Sequence, residues 1–263
     1  MDGGAIFGII PKALWSEVEK SDEQNRIELA SRSLLIQGNN KKILVETGLD
    51  KNFSDRMQEI YKVDFSQYSL DKSLQKMGIK ESAITDVFLT HLHFDHCGGN
   101  VKLSEGSIKP KFPEATYHIQ QKHWNWANSP SLLDRNSFIE RHYQCLQEYN
   151  QLNLLEEEYL YEGLRIFTTN GHTPGQQQLL IEDSTTPLFF GADLLPFRWS
   201  AKEPWISSFE LNSLEHLKEK KKFLARAKEG NWRVVFTHDP QEQTGQIKQG
   251  DKYHQSYNFK SNM

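Results

Sequence analysis

The stretch Thr90-His91-Leu92-His93-Phe94-Asp95-His96-Cys97-Gly98-Gly99-Asn100 decides the reading of this chain. Three histidines and an aspartate fall in one short run with the pattern H-x-H-x-D-H. Residues 84–90 just before it read as a short buried strand, and Gly98-Gly99 after it as a flexible turn. The ligand-rich stretch is therefore expected as a loop leaving a strand end, where a rigid scaffold aims side chains into a cleft. In an extended segment His91, His93 and Asp95 would share one side, and a turn at His96 would bring a further imidazole across. Imidazole and carboxylate donors suit zinc and its first-row neighbours, whereas a calcium or magnesium site would be nearly all oxygen. Cys97 abuts His96, as a further ligand or reactive thiol, or as a small packing residue.

Three later segments repeat the arrangement. Gly171-His172-Thr173-Pro174-Gly175 is a glycine- and proline-bounded turn carrying one imidazole. Phe189-Phe190-Gly191-Ala192-Asp193 is an apolar strand ending in a carboxylate, and Val234-Val235-Phe236-Thr237-His238-Asp239 is another ending in a histidine. Each alone is a weak signal; together they deliver a ligand-type residue at the end of an apolar strand again and again.

The set H-x-H-x-D-H, G-H-T-P-G, G-A-D and T-H-D, in this order, resembles the metallo-β-lactamase-fold hydrolases with a dinuclear metal site. Asp2-Gly3-Gly4-Ala5-Ile6-Phe7-Gly8 and Pro11-Lys12-Ala13-Leu14-Trp15 extend the likeness to a branch that holds quorum-quenching lactonases and methyl-parathion-hydrolase-like phosphotriesterases. The resemblance implies an α/β fold, the αββα four-layer sandwich, in which two mixed β-sheets are flanked by helices. It also implies two divalent ions, zinc first, with manganese, iron or cobalt as alternatives. By motif match His91, His93 and His172 would hold one ion, Asp95, His96 and His238 the other, and Asp193 would bridge. A hydroxide shared by the ions would attack the substrate, with Asp95 orienting it or passing a proton to the leaving oxygen. Glu46 stands where the family carries an aspartate behind the metal loop.

At 263 residues, 37% hydrophobic and 25% charged, the chain can bury a substantial core, and it reads as one domain, 1–263, with a helical insertion at about 120–150. Its net charge of −4 gives no basic field for nucleic acid. No apolar run approaches the ~20 residues of a membrane helix. The amino terminus does not read as a secretory signal, and two cysteines do not make a disulfide framework, so a cytoplasmic protein is expected. The expected partner is a small molecule, without nucleic acid or membrane; a homodimer would be compatible.

Residues 4–10 read as a strand, and 26–37 with 41–46 as a hairpin across Gly38-Asn39-Asn40. Residues 53–61 and 69–77 read as amphipathic helices, and 115–119, 164–169, 177–182 and 187–191 as strands. A helix capped by Asn212 or Ser213 and closed by Gly230 would pack Leu214, Leu217, Leu224 and its alanines, leaving its lysines on a solvated face. The polar tail after Asp239 is expected to end loosely ordered.

The aromatic block at 124–149 is either a cap over the metal cleft or a helical pair packed on the sheet. Phe7, Trp15, Phe94, Trp124, Trp126 and Phe197 are candidate walls of an apolar pocket, with Phe94 foremost because the metal loop positions it. The reading that follows is a metal-dependent hydrolase of a lactone or small apolar ester. The alternatives are a phosphotriesterase-like hydrolase and a hydroxyacylglutathione-type thioester hydrolase, and, from another class, a non-catalytic metal-binding module.

Overall fold

The structure, a computed structural model, describes residues 1–38, 40–156, 160–161, 163–249 and 257–260. The chain divides into two compact units, one of residues 31–157 and the other of 1–30 with 158–263. The α/β class expected from the strand and helix patterns is what both units show.

In the 31–157 unit the strands are β1 (Leu34–Gly38), β2 (Lys41–Val45), β3 (Asp86–Phe88), β4 (Val101–Ser104), β5 (Ser107–Pro110), β6 (Thr116–Gln120) and β7 (Leu152–Leu155). Among the described residues a five-stranded mixed sheet has the order β1-β2-β3-β6-β7, and β4 pairs with β5 in a separate hairpin. β1 and β2 pair antiparallel; β2, β3, β6 and β7 run parallel. Asn39, in the turn expected between β1 and β2, lies outside the described residues. β3 is central and buried throughout: Val87 and Phe88 are apolar, and the buried Asp86 carboxylate is paired with Lys41 (3.1 Å) and His118 Nε2 (2.9 Å). The helices Asp55–Tyr61 and Leu70–Lys76 begin where Ser54 and Ser69 accept backbone N–H bonds from Met57 and Lys72.

The segment 121–148 is helical in short pieces: Gln121–Ala127, Arg135–Ser137, Glu140–His142 and Gln144–Glu148. Its Trp124, Ala127, Phe138, Tyr143, Cys145 and Leu146 join Leu44, Val87, Leu89 and Ile119 in one apolar core. These aromatics are packed on the sheet, as one of the two alternatives had it. Asp50 fastens the segment from below: its carboxylate accepts from Arg141 (2.9 Å), His142 Nε2 (3.1 Å) and the Asn52 N–H (2.8 Å).

In the other unit the strands are β8 (Leu160–Tyr161), β9 (Leu164–Thr169), β10 (Gln176–Ile181), β11 (Leu188–Phe190), β12 (Arg233–Val235), β13 (Thr244–Gln249) and β14 (Tyr257–Lys260). Among the described residues they form one mixed sheet, β14-β13-β12-β11-β10-β9-β8. β11 and β12 are parallel neighbours, with Phe190 opposite Val235, and the Ser213–Glu229 helix lies in the connection between them. β13 and β14 bring part of the polar tail into the sheet; its last residues lie outside the described ones.

Two expectations are corrected in this unit. Residues 4–10 do not make a strand: Gly3–Phe7 is a helix, capped by Asp2 Oδ1 accepting the Ala5 N–H at 2.8 Å and ended by Gly8 at φ 56. The local cap outcompetes the apolar β-type composition. In the Ser213–Glu229 helix, Leu214 is exposed, and the buried stripe is His216, Lys220, Phe223, Leu224 and Ala227. Lys220 is therefore not on a solvated face. Its ammonium donates to the carbonyls of Trp205 (2.6 Å) and Lys202 (3.2 Å), and burial lowers its pKa to about 7.

Candidate metal centre

In the 31–157 unit the chain leaves β3 through Leu89 and Leu92, both fully buried in the apolar core, with a bend at Thr90 between them. The chain then turns at Phe94–Cys97, so Asp95 and His96 lie on a helical turn; the extended path expected for Asp95 is corrected. Gly98 and Gly99 are demanded by close approach. A Cβ on either would stand 2.3 Å from backbone, at Asp50 N and Thr47 O respectively. Thr47 N–H donates to the His96 carbonyl at 2.9 Å, closing the loop against the end of β2.

The imidazoles are held from behind. Thr90 Oγ donates to Glu46 Oε1 and lies 2.9 Å from His91 Nδ1, and the same Glu46 oxygen lies 2.9 Å from His96 Nδ1. Glu46, at φ 61, thus reaches both rings, and the donor atoms of Glu46, His91 and His96 lie within 4.8 Å of one another. His91 Nε2 is 3.1 Å from His93 Nδ1. Asp95 is the more open member, with its side chain 23% exposed and an oxygen 3.7 Å from His96 Nε2.

The helical segment supports the same loop. Leu92 N–H donates to His123 Nε2 at 2.8 Å, and the Phe138 ring sits edge-on to His93, centroids 4.9 Å apart. His123 and Phe138 were not among the candidate site residues; both lie far along the chain from the histidine motif, and nothing in their spacing marks them. Cys97 is a packing residue: fully buried, its thiol donates to the Leu92 carbonyl at 3.3 Å, and burial raises its pKa well above the ordinary value.

In the other unit, His172 follows β9, Asp193 follows β11 and His238 follows β12. The two oxygens of Asp193 lie 3.1 Å from His172 Nε2 and 3.1 Å from His238 Nε2. His238 Nδ1 donates to the Ala30 carbonyl at 2.8 Å. His172 Nδ1 lies 3.0 Å from the carboxylate of Glu210, which is also 2.9 Å from His216 Nδ1. Burial opposes the charge on Glu210, yet His216 and His172 hold its carboxyl well below the usual range. The His172 loop is clamped to the helix: Glu219 accepts the N–H groups of Asn170 (2.7 Å) and Gly171 (2.9 Å). Asn212 N–H donates to the Gly171 carbonyl at 2.9 Å.

These partners set the chemistry. With Nδ1 of both rings committed to acceptors, the neutral imidazoles present bare Nε2 lone pairs to the two oxygens of one carboxylate. That contact is repulsive unless positive charge lies in it. Divalent cations placed between each ring and the carboxylate would supply that charge without two imidazolium ions on a single carboxylate. The donor set of nitrogen and carboxylate oxygen fits a first-row metal.

Of the pocket candidates, Phe7, Trp15 and Phe197 share one apolar cluster in the unit of 1–30 with 158–263. Phe7 stacks on Trp15 (centroids 4.9 Å) and tilts on Trp199 (4.5 Å). Phe197 stacks on Trp199 (4.2 Å) and lies 6.0 Å from His238, which makes it the candidate of this unit nearest a ligand-type ring. In the 31–157 unit, Phe94 meets Phe53 (5.9 Å) and Tyr61 (5.2 Å). Trp124 is buried against Tyr143, and Trp126 Nε1 donates to Asp134 at 2.7 Å.

A family model described as the metallo-beta-lactamase superfamily matches residues 26–238. The chain belongs to that superfamily. Among curated relatives, an N-acyl homoserine lactonase of Bacillus cereus is 25% identical over 159 residues, 56% of this chain and 54% of the relative. The N-acyl homoserine lactonase AttM of Rhizobium radiobacter is 24% identical over 184 residues, 68% and 66% of the two chains. The chain thus spans between about half and two thirds of the length of these relatives. Among solved structures, a probable metal-dependent hydrolase from Staphylococcus aureus shares the fold at a TM-score of 0.86 and 23% identity, over 100% of this chain and 94% of the other. AidC, a dizinc quorum-quenching lactonase solved with a product, gives a TM-score of 0.73 at 26% identity, over 89% and 81%.

Proposed function

We propose that this chain is a metal-dependent hydrolase that opens a lactone or cleaves a small apolar ester, and that the two ligand sets complete a single dinuclear centre. The observation that carries the reading is the pair of Nε2 atoms, His172 and His238, each 3.1 Å from an oxygen of Asp193 with its Nδ1 already committed. On this reading His91, His93 and His172 hold one ion, Asp95, His96 and His238 hold the other, and Asp193 serves both. The family match from 26 to 238 crosses both units, which supports taking residues 1–263 as one domain.

When bound, two divalent cations, zinc by preference, would polarise the scissile carbonyl and lower the pKa of a shared water. The chain's own residues do the rest. Asp193 balances the positive charge, and Glu46 fixes the rings of His91 and His96 through Thr90 and directly. Asp95, the most open of the carboxylates near the loop, would take the proton that the attacking water gives up and pass it to the leaving oxygen. Phe94 and Phe197 give an acyl chain apolar surface beside the ligands. The substrate class is supported by the names of the relatives, N-acyl homoserine lactonases. The free, buried Cys97 and Cys145 accord with a cytoplasmic location. Among the described residues no helix is long and apolar enough to cross a membrane.

The test joins elemental analysis of protein purified without chelator to an activity panel of N-acyl lactones, β-lactams, S-acylglutathione and phosphotriesters. We expect two ions per chain and the highest kcat/KM on lactones, rising with acyl length as more apolar surface is buried. Asp193→Ala should lose metal and turnover while keeping its circular dichroism. One ion per chain after incubation with excess zinc would refute the dinuclear centre. A β-lactam or thioester ahead on the panel would refute the lactone, and a phosphotriester ahead would move the assignment to phosphorus.

A further inference from the structure

Glu210 lies between β11 and β12, just before the Ser213–Glu229 helix, and belongs to none of the ligand motifs. Its side chain is 4% exposed. Oε2 lies 3.0 Å from His172 Nδ1 and 2.9 Å from His216 Nδ1, and Oε1 accepts from Ser207 Oγ at 2.8 Å. Two of these three partners, Ser207 and His216, are not side chains of the His172 loop. The carboxylate is therefore held in place whether or not His172 is there to meet it. His216 itself belongs to the helix whose backbone packs directly on Gly171.

We propose that Glu210 is the positioning residue for His172: it keeps the ring proton on Nδ1, holds Nε2 facing Asp193 Oδ2 at 3.1 Å, and strengthens Nε2 as a donor. The inference rests on the reading of His172 as a metal ligand. The physical argument is that a carboxylate accepting the Nδ1 proton raises electron density at the opposite nitrogen and stops the ring from rotating. Packing alone gives no reason for an anion here. A buried carboxylate costs desolvation that a glutamine of the same shape would avoid. His216 plays the complementary part of holding Glu210, so its loss should be felt at His172 only through Glu210.

The experiment measures zinc affinity by chelator competition for the parent, Glu210→Gln, Glu210→Ala, His216→Gln and His172→Ala, with thermal unfolding of each in metal-free and zinc-loaded form. Glu210→Ala is expected to weaken zinc binding by about 10–100-fold. Glu210→Gln keeps an acceptor of the same shape without the charge and should fall between it and the parent; if the alanine variant does not fold, the glutamine variant decides. The unfolding temperature of Glu210→Gln should fall further below the parent when zinc is bound than when metal-free. Equal losses in both forms would assign Glu210 a merely structural role and overturn the proposal. So would parent-like zinc affinity in both Glu210 variants while His172→Ala loses an ion. Should His172→Ala itself keep both ions, the ligand reading fails first and takes this proposal with it.

Discussion

Gly171→Ala tests how the His172 loop is held. A Cβ at this position would stand 2.3 Å from the backbone N and Cα of His216, against 3.4 Å for an ordinary contact, so loop and helix must part by 3.4 − 2.3 = 1.1 Å. The helix backbone cannot rotate away as a side chain would. Parting strains the N–H bonds of Asn170 and Gly171 to Glu219 and of Asn212 to the Gly171 carbonyl. Losing one hydrogen bond to the carboxylate costs about 1.5–3 kcal/mol, and overpacking adds about 1–3 kcal/mol. We expect a total of about 3–5 kcal/mol, a fall in Tm on the order of 10 °C for a chain of this size. Differential scanning calorimetry measures it, with Gly38→Ala as control: a Cβ there meets nothing within 4 Å, and its cost should stay within about 0.5 kcal/mol. If Gly171→Ala melts with the parent, the clamp is not rigid and the argument from close approach fails.

Two further outcomes concern pH. Burial works against the Asp50 charge, but His142, the Asn52 N–H and Arg141 pull its pKa from 3.8 to about 2. A depressed carboxylate stabilises the fold above its unfolded pKa and loses that contribution as pH falls from about 4 to 2. Asp50→Asn should therefore cost about 2 kcal/mol at pH 7, shrinking to about 1 kcal/mol near pH 3; a urea midpoint gap unchanged between these pH values would contradict it. Lys220 has the opposite sign. Burial lowers its pKa from 10.5 to about 7, so the unfolded chain binds the extra proton between those values and stability rises with pH through that window. Lys220→Met should flatten the rise in a urea series from pH 7 to 10; a variant that keeps the parent's slope would show that the ammonium is not the cause.

The ligand-bearing strands were legible because each is a short apolar run broken by glycine or by the ligand itself, a pattern with few alternatives at this length. Residues 4–10 misled because Ala5, Ile6 and Phe7 have a strand's composition, while the deciding contact is one Asp2 oxygen on one backbone N–H. Lys220 was not separable from Lys218, Lys221 and Lys222 by pattern, since its burial depends on the carbonyls of Lys202 and Trp205, a loop away. Glu210 and His123 escaped for a related reason. Neither has any sequence relation to the loop it supports; the fold alone brings each one there.

The parallel pairing of β11 and β12 has a consequence for how this protein can vary. Phe190 pairs with Val235, and Asp193 and His238 each stand three residues beyond their paired residue. The separation of the two strands is set by backbone hydrogen bonding at about 4.8 Å, whatever the side chains. The bite between this carboxylate and this imidazole is thus tied to the end of the ladder, since both stand close to the last paired residues. Within the 191–232 connection, loop that carries neither Asp193, Glu210 nor the Ser213–Glu229 helix can be lengthened at little thermodynamic penalty, since doubling a flexible loop adds only about 0.6 kcal/mol. Longer loops there would present new walls to an incoming molecule while Asp193 and His238 keep their gauge.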